Sequence, residues 1–462
     1  MGKLQEVLKH PDELVPLMQM LVSDYYTKIV PRDPGLGFCY RMLNKVSRSF
    51  AIVIQQLPEL LRDPICVFYL VLRALDTVED DMALPNDIKL PLLRAFHKKI
   101  YDRKWSMKCG YGPYVQLMEE YPMVTGVFLK LDPGPREVIT EICRKMGAGM
   151  AEFIPKEVLT VKDYDQYCHY AAGLVGEGLS KLAVGSGLEN PVLLQKEDLS
   201  NHMGLFLQKT NIVRDYLEDI NEEPAPRMFW PKEIWGKYTK DLADFKDPAN
   251  EKGAVQCLNH MVTDALRHGE HALKYMALLR DPQYFNFCAI PQVMAFGTLS
   301  LCYNNPQVFK GVVKLRKGES AKLMTTVKSM PALYRTFLRM ADDMVARCKG
   351  EARQDPNVAT TLKRLQAIQA VCKTGLRSSI KSRKKQAATP LSDDFISKLV
   401  LVLGLGYCVY AFNLLPLLWK SALIPGPPPP ALTSSLGLPH QIIAVFCVLT
   451  AGYQVFLRGG LA

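Results

Sequence analysis

Apolar residues recur at three- and four-residue steps through most of this chain, as in VSRSFAIVIQQLPELL and CLNHMVTDALRHGEHALKYMALL. That period marks amphipathic helices packed on a core. Strand-like alternation and hairpin dipeptides are scarce, and no β-α alternation would build a parallel sheet. Prolines such as Pro64, Pro85, Pro91, Pro133, Pro155, Pro191 and Pro282 read as punctuation between helices. The pattern predicts one all-α domain over residues 1–375.

The pattern changes after residue 375. Residues 376–398 carry Arg377, Lys381, Arg383, Lys384 and Lys385 and read as a basic linker. Residues 399–419 form 21 positions without a charge, long enough to cross a bilayer. A Pro-rich loop at 420–441 and a second apolar run at 442–457 follow; the second run either spans, re-enters or lies on the interface. Basic residues before the first run orient the helical domain to the cytoplasm. The N-terminus has acids and bases from its start, so it is not a secretory signal. Glu6 stands where the myristoylation pattern needs Ser or Thr.

The length of 462 residues allows a large core. A formal net charge of +11 suits an anionic substrate or an anionic membrane surface. Neither zinc-finger spacing nor an RNA-binding aromatic signature is present, so nucleic acid is not the expected partner. The 12 cysteines lie singly among apolar residues with no C-x-x-C pair, which reads as reduced core thiols.

The chemistry concentrates in two stretches with one spacing. ICVFYLVLRALDTVEDDM delivers Arg73 and then Asp76, Glu79 and Asp80; NIVRDYLEDI delivers Arg214 and then Asp215, Glu218 and Asp219. Positions i, i+3 and i+4 share a helix face. Three like charges there are unfavourable unless a cation compensates. An all-oxygen set suits Mg²⁺, which takes a few carboxylates together with water and substrate phosphates. The competing reading is two solvated acidic faces. Two copies, each after an apolar run and an Arg, favour metal-held diphosphate.

The runs VSRSFAIVIQQLP, FYLVLRALDTVEDDM, YCHYAAGLVGEGLSKL, HMGLFLQKTNIVRDYLEDI, FNFCAIPQVMA and VVKLRKG resemble squalene synthase (farnesyl-diphosphate farnesyltransferase) over the helical region. The resemblance implies an isoprenoid-synthase fold with a C-terminal endoplasmic-reticulum anchor. It implies condensation of two farnesyl diphosphates to presqualene diphosphate with Mg²⁺, then reduction by NADPH to squalene. A monomer is expected.

Within that reading, Ser47, Arg48 and Ser49 can hold diphosphate oxygens. Phe50, Tyr69, Phe206 and Phe287 are candidates for an apolar wall around an allylic cation; plain core packing is the alternative for each. Gln208 and Asn211 precede Asp215 on one helix face. Tyr167 is the catalytic tyrosine by resemblance, beside His169 and Tyr170, with Arg73 and Phe287 also at the reaction centre. Gly173 and Gly176 allow bending or close approach. Cys288, Pro291 and Gln292 resemble the segment flanking the second reaction centre. No dinucleotide-binding glycine fingerprint follows a strand. The resemblance assigns NADPH contacts to Lys314 and Arg316, with Arg48, Arg73 and Arg214. Ala171, Glu177 and Phe296-Gly297 depart from the family pattern and could alter the fate of the second cation. Botryococcene synthase and presqualene diphosphate synthase remain alternatives; phytoene synthase lacks the reductive step that VVKLRKG implies. A non-catalytic helical scaffold on a membrane tether is the reading from a different class.

Overall fold

A computed structural model of the chain describes residues 10–27, 31–223 and 226–386, without the side chains of 21–27, 48–49 and 381–386. The chain divides into two compact units, Ser23–Ser379 and Met1–Val22 with Ile380–Ala462. In the second unit the described residues are the turn Pro11–Glu13, the start of the helix Leu14–Thr27 and the end of the helix Val358–Gln386. The apolar runs at 399–419 and 442–457 lie outside the described residues.

Ser23–Ser379 is helical throughout its described elements, with no strand among them. The helices that build the interior are α1 (Arg48–Ile54), α2 (Glu59–Asp80), α3 (Pro133–Phe153), α4 (Val161–Cys168), α5 (Leu174–Gly185), α6 (Glu197–Arg214), α7 (Tyr216–Ile220), α8 (Gly269–Met276), α9 (Pro282–Cys302) and α10 (Lys317–Thr326). Helix α6 packs on α5, α8 and α9, while α2 packs on α3 and α5. Helix α9 is apolar all round and mostly buried. It is long and apolar enough to cross a membrane, yet here it serves as a core helix, as burial on every side requires.

Prolines behave differently from the sequence expectation. Pro133, Pro191 and Pro282 open helical elements and Pro85 caps one, as a missing N–H at the first turn allows. Pro64 and Pro91 instead lie inside helices, as does Pro291 in α9. A proline there forfeits a main-chain hydrogen bond. Burial of Ile65, Cys66, Val67 and Phe68 around Pro64 holds α2 together across that gap. The helix Val358–Gln386 likewise runs well into the segment read as a linker. Leu365, Ile368 and Cys372 anchor it to the core, and its late basic residues suit a helix C-terminus.

Close helix approach is built from glycine at the α5–α6 contact. A Cβ on Gly176 would lie 2.4 Å from the Ser200 carbonyl oxygen, and one on Gly204 2.3 Å from that of Ala172. Backbone meets backbone at these two points, so neither position has room for a side chain. Between α4 and α5 the segment His169–Gly173 is a π-turn, in which the Leu174 N–H reaches the His169 carbonyl. Such an insertion re-aims the side chains that follow it, and it turns Ala171 and Ala172 toward the interior cavity.

Candidate active site

The cavity has a volume of about 250 Å³. Its walls come from α1, α2, α5, α6, α8, α9 and the π-turn, and most of the surface is aliphatic or aromatic. Among residues expected from the sequence, Phe50, Tyr69, Phe287, Cys288 and Pro291 face it, as do Arg73 and Asp76 at the acidic end of α2 and Gln208 and Asn211 from α6. Ala171, Val175, Gly176 and Leu179 close the side toward α5. Gln292 is fully buried; its amide nitrogen donates to the Met203 carbonyl at 3.0 Å, while its Oε1 faces the interior without a partner. Phe206 is outside the lining and packs against Phe296.

The first acidic cluster ends α2, and Asp81 caps that end with its N–H on the Thr77 carbonyl. Asp76 lies 3.4 Å from Arg73, whose guanidinium also donates to the Tyr69 hydroxyl at 3.3 Å and whose Nε is buried without a partner. Glu79 is buried, at 5% exposure. Helix α6 stops at Arg214, and Asp215 bridges to α7 while keeping the i, i+4 step: the Asp219 N–H donates to the Asp215 carbonyl at 2.9 Å. Arg214 clasps Asp215 with two bonds, 2.6 and 2.5 Å.

One residue bridges the two clusters. Arg227, eight residues beyond Asp219, pairs with Glu79 at 2.8 Å and with Asp80, and its own N–H donates to the Asp219 carbonyl at 3.0 Å. Burial pushes Asp76 up to about 7, with Asp80 and Glu79 adding to the rise and Arg73 opposing it. Burial and then Asp215 push Asp219 up to about 7. Burial raises Glu79 too, against the pull of Arg227. At Asp76 and Asp219 burial outweighs the available positive charge, a condition that a bound cation would relieve.

A raised carboxylate has a definite sign in linkage. At Asp76 and Asp219 the folded chain holds more protons than the unfolded chain between about pH 4 and pH 7. Their contribution to stability therefore falls as pH rises through that window. With a chelator present, the melting temperature is expected to drop between pH 5 and pH 8 and to recover when Mg²⁺ is added at pH 8. A flat profile that ignores Mg²⁺ would remove these two groups from the site.

Tyr167 is not on the cavity wall. It is buried on α4, stacked on Phe229 at 3.8 Å between ring centres and packed near Phe153. Burial, then the negative charge of Glu79, raise its phenol well above the usual range, so it holds its proton at neutral pH. His169 is satisfied by the Asn201 side chain at 2.9 Å. Ser47 accepts from the Phe50 N–H at 3.3 Å and caps α1; the side chains of Arg48 and Ser49 lie outside the described ones. Lys314 is exposed, and Arg316 reaches Glu319 at 3.3 Å at the start of α10. Neither lines the cavity. Glu177 points away from it into a network with Lys145, Lys181 and Glu141, at 2.7–3.0 Å. That pairing accounts for its charge as a structural feature. Gly297 lies over Leu315, where a Cβ would sit 3.2 Å from a leucine methyl.

Among the described residues no three His, Cys, Asp or Glu side chains converge closely enough to cage an ion. Mg²⁺ does not need such a cage, since it keeps waters and takes substrate phosphates beside one or two carboxylates. The donor set is hard oxygen, and burial with like-charge neighbours leaves Asp76 and Asp219 raised to about 7. The residues present fit the ion.

A family model for squalene/phytoene synthase matches residues 43–319. The chain belongs to that family. It is 61% identical to Botryococcus squalene synthase of Botryococcus braunii, over 90% of this chain and 89% of that one. It is 55% identical to lycopaoctaene synthase of the same alga, over 89% of this chain and 93% of that one. A solved structure of TcSQS in complex with the ligand E5700 superposes with a TM-score of 0.72 at 47% identity, covering 74% of this chain and 99% of that one. The fold is thus the isoprenoid-synthase fold, and this family member is an enzyme, a farnesyl-diphosphate farnesyltransferase.

Arg227 was missed by sequence reasoning. It stands in NEEPAPRMFW, outside any charge pattern, and its partners Glu79 and Asp80 lie 147 residues and more upstream. Tyr111 and Tyr114 were missed too. Tyr114 sits 5.9 Å from the Arg73 guanidinium, and the charges of Asp80 and Glu218 reach Tyr111.

Proposed function

We propose that the enzyme is a squalene synthase. It would join two farnesyl diphosphates to presqualene diphosphate with Mg²⁺ and reduce that with NADPH to squalene. One observation carries the reading: a largely apolar cavity is lined at one end by Arg73 and Asp76 of the first acidic cluster and by Asn211, one turn before Asp215 of the second. A diphosphate can be held at that end while its prenyl chain lies in the cavity. Bound Mg²⁺ supplies Lewis-acid neutralisation of the leaving group. Asp76, Glu79 and Asp80 with Asp215, Glu218 and Asp219 would hold it. Arg73, Gln208 and Asn211 orient the diphosphate end by hydrogen bonding. Phe50, Tyr69 and Phe287 exclude water from an allylic cation and offer it their ring faces.

Tyr167, protonated near Glu79 and Arg227 but behind the cavity wall, would act through those two side chains as a hydrogen-bond donor. NADPH would supply hydride. Arg73 and Arg214 stand beside the acidic clusters for its phosphates, and the resemblance adds Arg48, Lys314 and Arg316. A C-terminal anchor in the endoplasmic-reticulum membrane, with the helical unit facing the cytoplasm, completes the proposal; its basis is the charge-free run at 399–419.

The second reading is a different product from the same two substrates. Its support is the 55% identity to lycopaoctaene synthase, which shows that close relatives differ in product. The full-length enzyme in detergent, given farnesyl diphosphate, Mg²⁺ and NADPH, is expected to yield squalene by mass spectrometry. Botryococcene, or presqualene diphosphate alone, would replace the squalene assignment and leave the farnesyltransferase in place.

A further inference from the structure

Arg227 engages the acidic clusters in a way no neighbouring cation does. Arg73 and Arg214 each attend one acid near them in sequence, Asp76 and Asp215. Lys89 is buried nearby but donates to the Glu79 backbone carbonyl, at 2.9 Å. The Arg227 fork reaches the carboxylates of Glu79 and Asp80, and its main-chain N–H reaches the Asp219 carbonyl. A single residue therefore ties the end of α2 to α7. Its side chain is 25% exposed and lies with its guanidinium carbon 5.4 Å from the Phe229 ring centre, at a second cavity of about 460 Å³ that Glu79, Arg227 and Phe229 help line. The guanidinium thus has room to withdraw from the carboxylates without leaving the protein.

Glu79 is buried while Asp80 is part-exposed, so the cost of removing their cation falls mainly on Glu79. The guanidinium holds one oxygen of each carboxylate, Glu79 Oε1 and Asp80 Oδ1, and a divalent ion on the same pair would repel it. We propose that Arg227 is a placeholder cation, a positioning residue that holds the two acidic clusters assembled without metal and yields Glu79 and Asp80 when a divalent ion enters. The proposal rests on the magnesium reading of those carboxylates. Metal binding is then an exchange of cations, which keeps the clusters together in the resting enzyme at the expense of metal affinity.

The test is metal binding to the full-length protein in detergent at pH 8, without diphosphate, for wild type, Arg227→Gln and Arg227→Lys. Mn²⁺ is titrated and followed by its electron paramagnetic resonance signal, and melting temperatures are taken with chelator and with saturating Mg²⁺. Removing a competing charge gives coupling on the order of 5–150-fold; about tenfold tighter Mn²⁺ binding is expected for Arg227→Gln, with Arg227→Lys between it and wild type. Metal-free Arg227→Gln should melt below wild type, and saturating Mg²⁺ should narrow that gap. Binding that is unchanged or weaker in Arg227→Gln, or a gap that Mg²⁺ leaves alone, overturns the proposal. Should Arg227→Gln fail to fold, Arg227→Lys decides it by the same comparison: tighter than wild type supports it, equal or weaker overturns it. Failure of the wild type and of both variants to bind Mn²⁺ would instead defeat the magnesium reading, and the proposal with it.

Discussion

Asp76→Asn is expected to lower kcat for farnesyl diphosphate consumption by about 10³-fold with the fold intact, the scale seen when one preorganised electrostatic group at a developing charge is removed. The substitution keeps the shape of the side chain and deletes its charge. Asp76 sits on the cavity rim 3.4 Å from Arg73, in the cluster where burial and like charges already hold its carboxyl up to about 7. Deleting a crowded charge should leave the metal-free melting temperature at or above that of wild type, because the carboxylate costs stability at neutral pH. Loss of turnover would then not come from unfolding. Turnover with Mg²⁺ present and a thermal melt without it separate the two effects. Turnover within tenfold of wild type would remove Asp76 from the catalytic machinery.

Lys209→Met is expected to destabilise the protein by about 3–5 kcal/mol, the cost of removing one partner from a buried ion pair. Lys209 is wholly buried on α6, beside Gln208. Its ammonium pairs with Asp165 at 2.5 Å and with Asp264, and it lies 4.4 Å from the centre of the Tyr164 ring. Arg267 bonds the same two acids. Without Lys209 one guanidinium would answer two carboxylates, and Asp264 is only 10% exposed. The shift would appear as a lower midpoint in denaturant at unchanged slope. The double variant Lys209→Met with Asp264→Asn should recover part of the loss, since it removes the stranded charge as well. A single-variant effect below 1 kcal/mol would mean that the cluster is hydrated. This cluster fixes the helix that presents Gln208 and Asn211 to the cavity and leads to Asp215, so it supports the site without touching it.

Helical class was legible because apolar spacing is a local property: each helix shows its buried face in its own sequence. The acidic clusters were legible for the same reason, since i, i+3 and i+4 fall on one face of any helix. Proline placement was not, because burial around Pro64 and within α9 outweighs a lost hydrogen bond. Glu177 could not be placed from the sequence either. Of its partners, Lys181 is local, but Lys145 and the shared Glu141 come from α3.

By itself the sequence determined the helices, the two carboxylate triplets and the family runs that carry the chemistry. Only the tertiary structure decided that the triplets are brought together through Arg227, and that Tyr167 stacks on Phe229 behind the cavity wall. The reason is range: a triplet is written within five residues, whereas each of these meetings depends on how distant helices pack.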